Sequence, residues 1–344
     1  MPLDQIADQF PGAPGYLNSA SIGLPPSSAV TALREAIADW QAGQAHAPQY
    51  DADISEARAL FAQLMSVPTE WVAIGSQVSA LVSLAVTSLP AGSHVLCPEG
   101  EFTSVIFPFL ARDDLDLTVE YVPLADLASH ISGGVDMVAF SAVQSADGRV
   151  ADLTAIREAA GAVGALTMMD ATQAAGWLPL DVKDFDFVVA GAYKWLLSPR
   201  GTAFMTVRPQ LLDKVRPLYA GWYAGDSPWD SIYGAPLRLA TDARRLDLSP
   251  GWLAWVGTAH ALRLLADVGV ETIHHHNVGL ANTLRQRVGL PPSDSAIVAL
   301  DLDAGFDESR LDGLSTAYRA GRLRVGFHLY NTMDDVKQLT EALH

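Results

Sequence analysis

The sequence predicts an α/β fold, with a large domain on a mainly parallel central sheet and a small α+β C-terminal domain. Three observations carry this. Short apolar, β-rich runs alternate with helical stretches from Trp71 to about Val207, the pattern of a sheet wound with helices. The runs are continuously apolar rather than alternating, which suits strands covered on both faces. After Pro209 the periodicity breaks, and only two helices, two strands and a last helix follow.

The turn-rich arm GYLNSASIGLPP comes first, and helices are expected over 27–44 and 53–65. Strands follow at WVAI (71–74), HVLC (94–97), LTVEYV (117–122), VDMVAF (135–140), LTMMD (166–170), FDFVVA (185–190) and TAFMTV (202–207), with helices at 79–89 and 152–163 between them. Residues 219–250 are rich in Gly, Trp, Tyr and Asp and read as a long functional loop. Helices at 252–268 and 271–288, strands at AIVALDLD and RLRVGF, and a helix at 333–343 complete the chain. The expected division is an arm (1–20), a large domain (21–250) and a small domain (251–344).

A formal charge of −17 with 39 acidic and 22 basic residues argues against a general nucleic-acid binder. The opening MPLDQIADQF has no basic, apolar leader, and Ser, Gly and Pro interrupt the apolar stretches. A cytoplasmic protein without a membrane partner is expected. The single cysteine, Cys97, permits no internal disulfide and reads as a small buried strand residue. His274, His275 and His276 are contiguous, which is poor spacing for metal ligation, and no metal site is expected.

Four segments carry candidate chemistry. Gly75–Ser76–Gln77 follows a strand and opens a helix, which suits either an anion site on exposed N–H groups or an ordinary Ser-capped helix. Asp170 ends the run LTMMD. There it either caps the following helix or faces a cationic partner in the crevice at the strand ends. Lys194, in GAYKWLL, has the least polar setting of the four lysines; a desolvated lysine is a usable nucleophile, and a snorkelling lysine is the alternative. Arg322 and Arg324 share a strand face. Arg324 lies deeper and suits a substrate carboxylate or a structural ion pair. No Ser–His–Asp triad stands out.

Together these segments resemble the class V aminotransferase family of fold-type I pyridoxal-phosphate enzymes. Its relatives include cysteine desulfurases, kynureninases, isopenicillin epimerase and C–S lyases. The resemblance runs through YLNSASIGLPP, GSQVSAL, EGEFTS, VQSADG, DATQAAGWLPLDV, GAYKWLLSPRG, ARRLDLSP and RLRVGFHLYNT, with Asp170 and Lys194 24 positions apart. It implies pyridoxal 5'-phosphate as cofactor, held as a Schiff base on Lys194. Asp170 would meet the pyridine nitrogen, Gln173 the phenolic oxygen and Phe102 the ring face. Ser76, Gln77 and Tyr193 would hold the phosphate, Ser249 would reach a neighbouring subunit's phosphate, and Asn18 and Arg324 would line the substrate site. A homodimer with its site at the interface is implied as well.

Three departures narrow the expectation. Tyr193 precedes the lysine where many relatives have His, which looks more like kynureninases. Phe102 replaces the frequent His over the ring. No cysteine follows Cys97, which disfavours the persulfide chemistry of the desulfurases. The resemblance implies an aminotransferase acting on an amino acid. The alternatives are a β-eliminating or C–S lyase, or an epimerase, on the same scaffold, and a non-catalytic binding protein with this fold. A nicotinamide dehydrogenase lacks its glycine fingerprint.

Overall fold

The computed structural model describes residues 5–344, so the first four residues of the expected arm lie outside the described residues. Helices α1 (Ser27–Gln41) and α2 (Asp51–Leu64) come first. α1 stops short of the expected Gln44 because Gly43 turns the chain at φ +72°. The wound core follows as β1 (Val72–Gly75), α3 (Val78–Val86), β2 (His94–Pro98), α4 (Thr103–Leu110), β3 (Thr118–Val122), α5 (Leu127–His130), β4 (Met137–Ser141), α6 (Leu153–Val163), β5 (Leu166–Asp170), β6 (Phe187–Gly191) and β7 (Ala203–Val207).

These seven strands form one sheet in the order β1-β7-β6-β5-β4-β2-β3. β7 is antiparallel to both neighbours, and the other pairs are parallel. Consequently β1, β4, β5 and β6 all end on one edge, where open α/β sheets bind ligands. Apolar side chains cover both faces. Phe61, Phe140, Phe204 and Trp255 pack on one, and Leu81, Val105, Met168 and Met205 on the other.

After the loop 208–251 come α7 (Trp252–Val268), α8 (Val270–Arg287), β8 (Ile297–Leu300), β9 (Ala317–Arg319), β10 (Arg322–Gly326) and α9 (Met333–Leu343). β10 lies between β8 and β9 in an antiparallel sheet with its own core of Leu284, Val298, Val325, Phe327 and Val336. Thr332 and Asp335 form a reciprocal capping box that starts α9. Three elements were not anticipated, among them the four-residue α5. α4 contains Pro108 in an apolar run without helical spacing, and β9 is only three residues long.

The arm joins the two sheets. Gly326 N–H donates to Leu17 O, and Leu17 N–H to Ser315 O. The HLYNT segment holds the arm from the other side, with Asn331 Nδ2 donating to Tyr16 O and the hydroxyls of Tyr330 and Ser19 bonded to each other. Among the described residues no helix is long and apolar enough to cross a membrane.

Candidate active site

A cavity of about 300 Å³ opens at the shared strand edge. Ser76, Gln77, Phe102, Asp170, Gln173, Tyr193 and Lys194 line it, so the structure gathers seven of the expected residues in one place. It adds Ser104, Ser141, Ser145, Thr172, Arg200 and Thr202, which the sequence reading missed.

Lys194 sits in a tight turn after β6. Gly23 N–H donates to Tyr193 O, and a Cβ at Gly23 would lie 2.0 Å from the Lys194 carbonyl, so only glycine permits the arm to pass here. His328 braces the same turn by donating from Nε2 to Trp195 O at 2.9 Å. Its Nδ1 accepts from Leu329 N–H, which fixes the tautomer, and burial holds the ring neutral with its pKa down at about 4. Leu197, three residues on, is held at φ +56°, an unusual backbone state for a leucine.

Lys194 is 5% exposed, and its side-chain amine makes no hydrogen bond or ion pair among the described residues. Its ammonium stands 5.3 Å from the Phe102 ring centre and 5.7 Å from that of Tyr193. Burial is the main force lowering its pKa to about 8. Asp170 opposes the shift, and Arg324, Arg319 and Arg200 add to it. The amine is thus buried rather than snorkelling, and its neutral form is far more populated near neutral pH than that of an exposed lysine.

Asp170 is fully enclosed at the end of β5. Its Oδ1 accepts from Thr172 N–H at 2.8 Å, so it shapes the following turn and lines the cavity at the same time. Burial raises its pKa to about 6, Thr172 and Lys194 work against this, and nearby Glu101 adds to it. Glu101 itself accepts from Ser141 N–H, Ser141 Oγ, Gln144 Nε2 and Phe102 N–H, which fixes the base of the Phe102 loop.

Ser76 makes no capping bond at the start of α3, whose N-cap is Gln77, and both residues stay exposed. Arg200 lines the same end, with its guanidinium 5.3 Å from the Tyr193 ring. Arg324 on β10 is 1% exposed and does not itself line the cavity, which it meets through the lining residue Ser145. Its Nη1 donates to Ser145 O and Oγ, and its Nη2 to Ser21 Oγ at 2.8 Å. Its Nε has no partner, and no carboxylate pairs with it among the described residues. A structural ion pair is therefore ruled out for Arg324, whereas Arg322 takes an exposed one with Asp301. Burial is the chief cause lowering the Arg324 pKa to about 10, and neighbouring Arg319 adds to it.

Gln173 lines the cavity, but its amide is engaged. Nε2 donates to Ala20 O and Ser145 Oγ, while Oε1 accepts from Trp195 Nε1. Asn18 bridges to Gly326 beside the arginine strand, and its Oδ1 is buried without a donor. Ser249 is exposed and does not line this cavity. Cys97 lies inside β2, and burial pushes its thiol up to about 12. The three histidines of α8 turn to separate partners: His274 to Asp294, His275 to Glu271 O and His276 to Asn331 O.

The model of the family "Aminotransferase class-V" matches residues 16–295. The chain belongs to the class-V aminotransferase family. Among its relatives in that family is the uncharacterized aminotransferase YcbU of Bacillus subtilis, 34% identical over 309 residues, covering 83% of this chain and 82% of that one. The isopenicillin N epimerase of Amycolatopsis lactamdurans is 27% identical, covering 83% of each. A cystine C–S lyase, solved with cysteine persulfide, superposes with a TM-score of 0.88 at 19% identity over 97% of this chain and 99% of that one; this likeness speaks for the fold.

Class-V aminotransferases are pyridoxal-phosphate enzymes, and this member is one. The residues present fit the cofactor. It needs a lysine that is neutral enough to attack an aldehyde, a buried anion for its ring nitrogen, a flat apolar partner and an anion cradle. Lys194 with its lowered pKa, enclosed Asp170, the Phe102 ring and the uncapped start of α3 with Arg200 meet those needs in one cavity.

Proposed function

We propose that this class-V member is an aminotransferase for an amino acid, with Lys194 attaching the cofactor and then moving the substrate's α-proton. The observation that carries this is Lys194 itself, buried and unpaired with its pKa at about 8. Bound pyridoxal phosphate supplies an electron sink for the charge left at the substrate's α-carbon.

The chain's own residues then divide the work. Lys194 Nζ takes the proton from the substrate's α-carbon and would deliver it to the cofactor carbon that carried the aldehyde, so that hydrolysis leaves the amino group on the cofactor and releases a keto acid. Asp170 holds the ring nitrogen's proton, since a cation opposite it compensates the burial that otherwise raises its carboxyl. Phe102 stacks on the ring without exchanging protons. Ser76, Gln77, Tyr193 and the newly found Arg200 hold the phosphate. Ser145 Oγ already accepts from Gln173 Nε2 and Arg324 Nη1, which fills its two acceptor sites and leaves its own hydrogen free. Gln173 accordingly acts on the cofactor's phenolic oxygen through Ser145. Arg324 takes the substrate's α-carboxylate, and Asn18 completes that side with its unpartnered Oδ1.

The reading includes a cytoplasmic homodimer. Support for the dimer comes from the loop 218–237, where Leu218, Tyr219, Tyr233 and Leu237 are all exposed. Ser249, exposed outside its own cavity, suits the phosphate of the second copy.

Purified protein loaded with pyridoxal phosphate and freed of the excess should keep near-visible absorbance, and Lys194→Ala should lose it while keeping the fold. An amino acid with a 2-keto acid acceptor should then yield a new keto acid. Absorbance in the Lys194→Ala variant equal to the parent's would end the Lys194 assignment. Pyruvate and ammonia released without an acceptor would replace aminotransferase with β-eliminating lyase.

A further inference from the structure

One cation beside the cavity has no part in this chemistry. Arg319, on β9, pairs with Arg322 of β10 and is the diagonal, same-face neighbour of Arg324, which pairs with Ala317. Its Nη2 reaches Ser21 Oγ at 3.4 Å, the same oxygen that accepts from Arg324 Nη2 at 2.8 Å. Two guanidinium groups thus converge on one small hydroxyl. Neither has a carboxylate partner among the described residues, although the chain carries 39 acidic side chains. Like charges held together disfavour each other, and Arg319 makes the Arg324 proton easier to lose. An acidic protein that leaves such a pair without a carboxylate presents an anion site larger than one carboxylate needs.

The charges can be apportioned. Arg200 stands at the other end of the cavity, beside Tyr193 and near Ser76. Arg324 is fully buried, with Nε open, and takes one carboxylate. Arg319 is exposed, reaches the Arg324 side chain's partner Ser21, and has no carboxylate partner among the described residues.

We infer that the substrate is a dicarboxylic amino acid, with Arg324 holding its α-carboxylate and Arg319 its side-chain carboxylate across Ser21. This rests on the assignment of Arg324 to the α-carboxylate given above. Arg319 would then set specificity without touching the reacting atoms.

The test uses holoenzyme and unreactive probes, read by calorimetry at low salt. Succinate should bind at least about fivefold more tightly than propionate, the scale of a well-placed exposed ion pair. Arg319→Gln should bring that ratio close to one, and raised salt should erode it in the parent. For turnover, the same variant should raise KM for an acidic amino acid more than for a neutral one. Equal affinities for succinate and propionate in the parent would overturn the inference, as would a ratio that survives Arg319→Gln. Equal weakening of both probes would also overturn it, because Arg319 would then share the first carboxylate. Failure of the cofactor reading shows separately, as protein without near-visible absorbance once excess pyridoxal phosphate has been removed.

Discussion

Arg58 and Arg324 are both buried, at 6% and 1% exposure, yet their surroundings are opposite. Arg58, on α2, meets Asp247 through two bonds of 2.6 and 3.1 Å and donates to Val72 O as well. Asp247 Oδ1 also accepts from Ile74 N–H, so the pair pins edge strand β1 to the segment that follows the aromatic loop. Every charge there has its counter-charge within the chain. Arg324 has only neutral partners and an open Nε. Burying a charge without a counter-ion is costly. The scaffold closes its charges and the site leaves one open, so the missing counter-ion is expected to arrive with the substrate.

The largest effect that can break this contrast is on the scaffold side. Arg58→Ala strands Asp247 as a buried lone carboxylate, and denaturant unfolding should show a loss of about 3–5 kcal/mol. A loss no larger than that of an exposed arginine would mean the pair is not closed as described.

Next comes pH. The Lys194 pKa is lowered from 10.5 to about 8, chiefly by burial. Between those values the unfolded chain binds the proton and the folded one does not, so stability rises with pH across that window. Below it the penalty is present in full. Apoprotein should therefore gain up to about 3 kcal/mol on going from pH 8 to 10.5. Chemical denaturation of a Lys194→Met variant should lack this rise, and a rise that persists there would assign it to another group.

Arg324→Gln should sharpen the contrast. It should lower kcat/KM by about 1.5–3 kcal/mol, the scale of a charged hydrogen bond. Folding stability should stay level or increase, since an unpaired buried charge is removed. A stability loss as large as that of Arg58→Ala would erase the distinction. The smallest change is Ser21→Ala, which removes the hydroxyl shared by Arg319 and Arg324 and should cost about 0.5–1.5 kcal/mol of substrate affinity. Titration with an unreactive carboxylate measures it.

The alternation of apolar runs and helices made the seven-stranded sheet legible, because a buried parallel strand announces itself as an uninterrupted apolar stretch. α4 stayed hidden because TSVIFPFL has no polar face and contains a proline. Lys194 and Asp170 were readable as polar residues at the ends of such runs. Ser145, Ser21 and Arg200 were not. Small hydroxyls in loops carry no local pattern, and their meaning comes from contacts across the chain, such as Ser145 with Arg324. The alternatives left open by the sequence, an ion pair for Arg324 and a capping role for Ser76, were decided by three-dimensional partners alone. HLYNT, a signature in the sequence, braces the arm and the Lys194 turn through His328, Tyr330 and Asn331.

The solitary thiol of Cys97 gives the experimenter a clock. It sits with no solvent exposure inside β2, and its pKa of about 12 keeps it unreactive in the folded state. Any alkylating reagent must wait for that strand to open, so labelling times read out rare excursions of the central sheet, one event per molecule. Repeated with and without cofactor, that readout reports how firmly an occupied cavity holds the strands behind it, with no engineered probe.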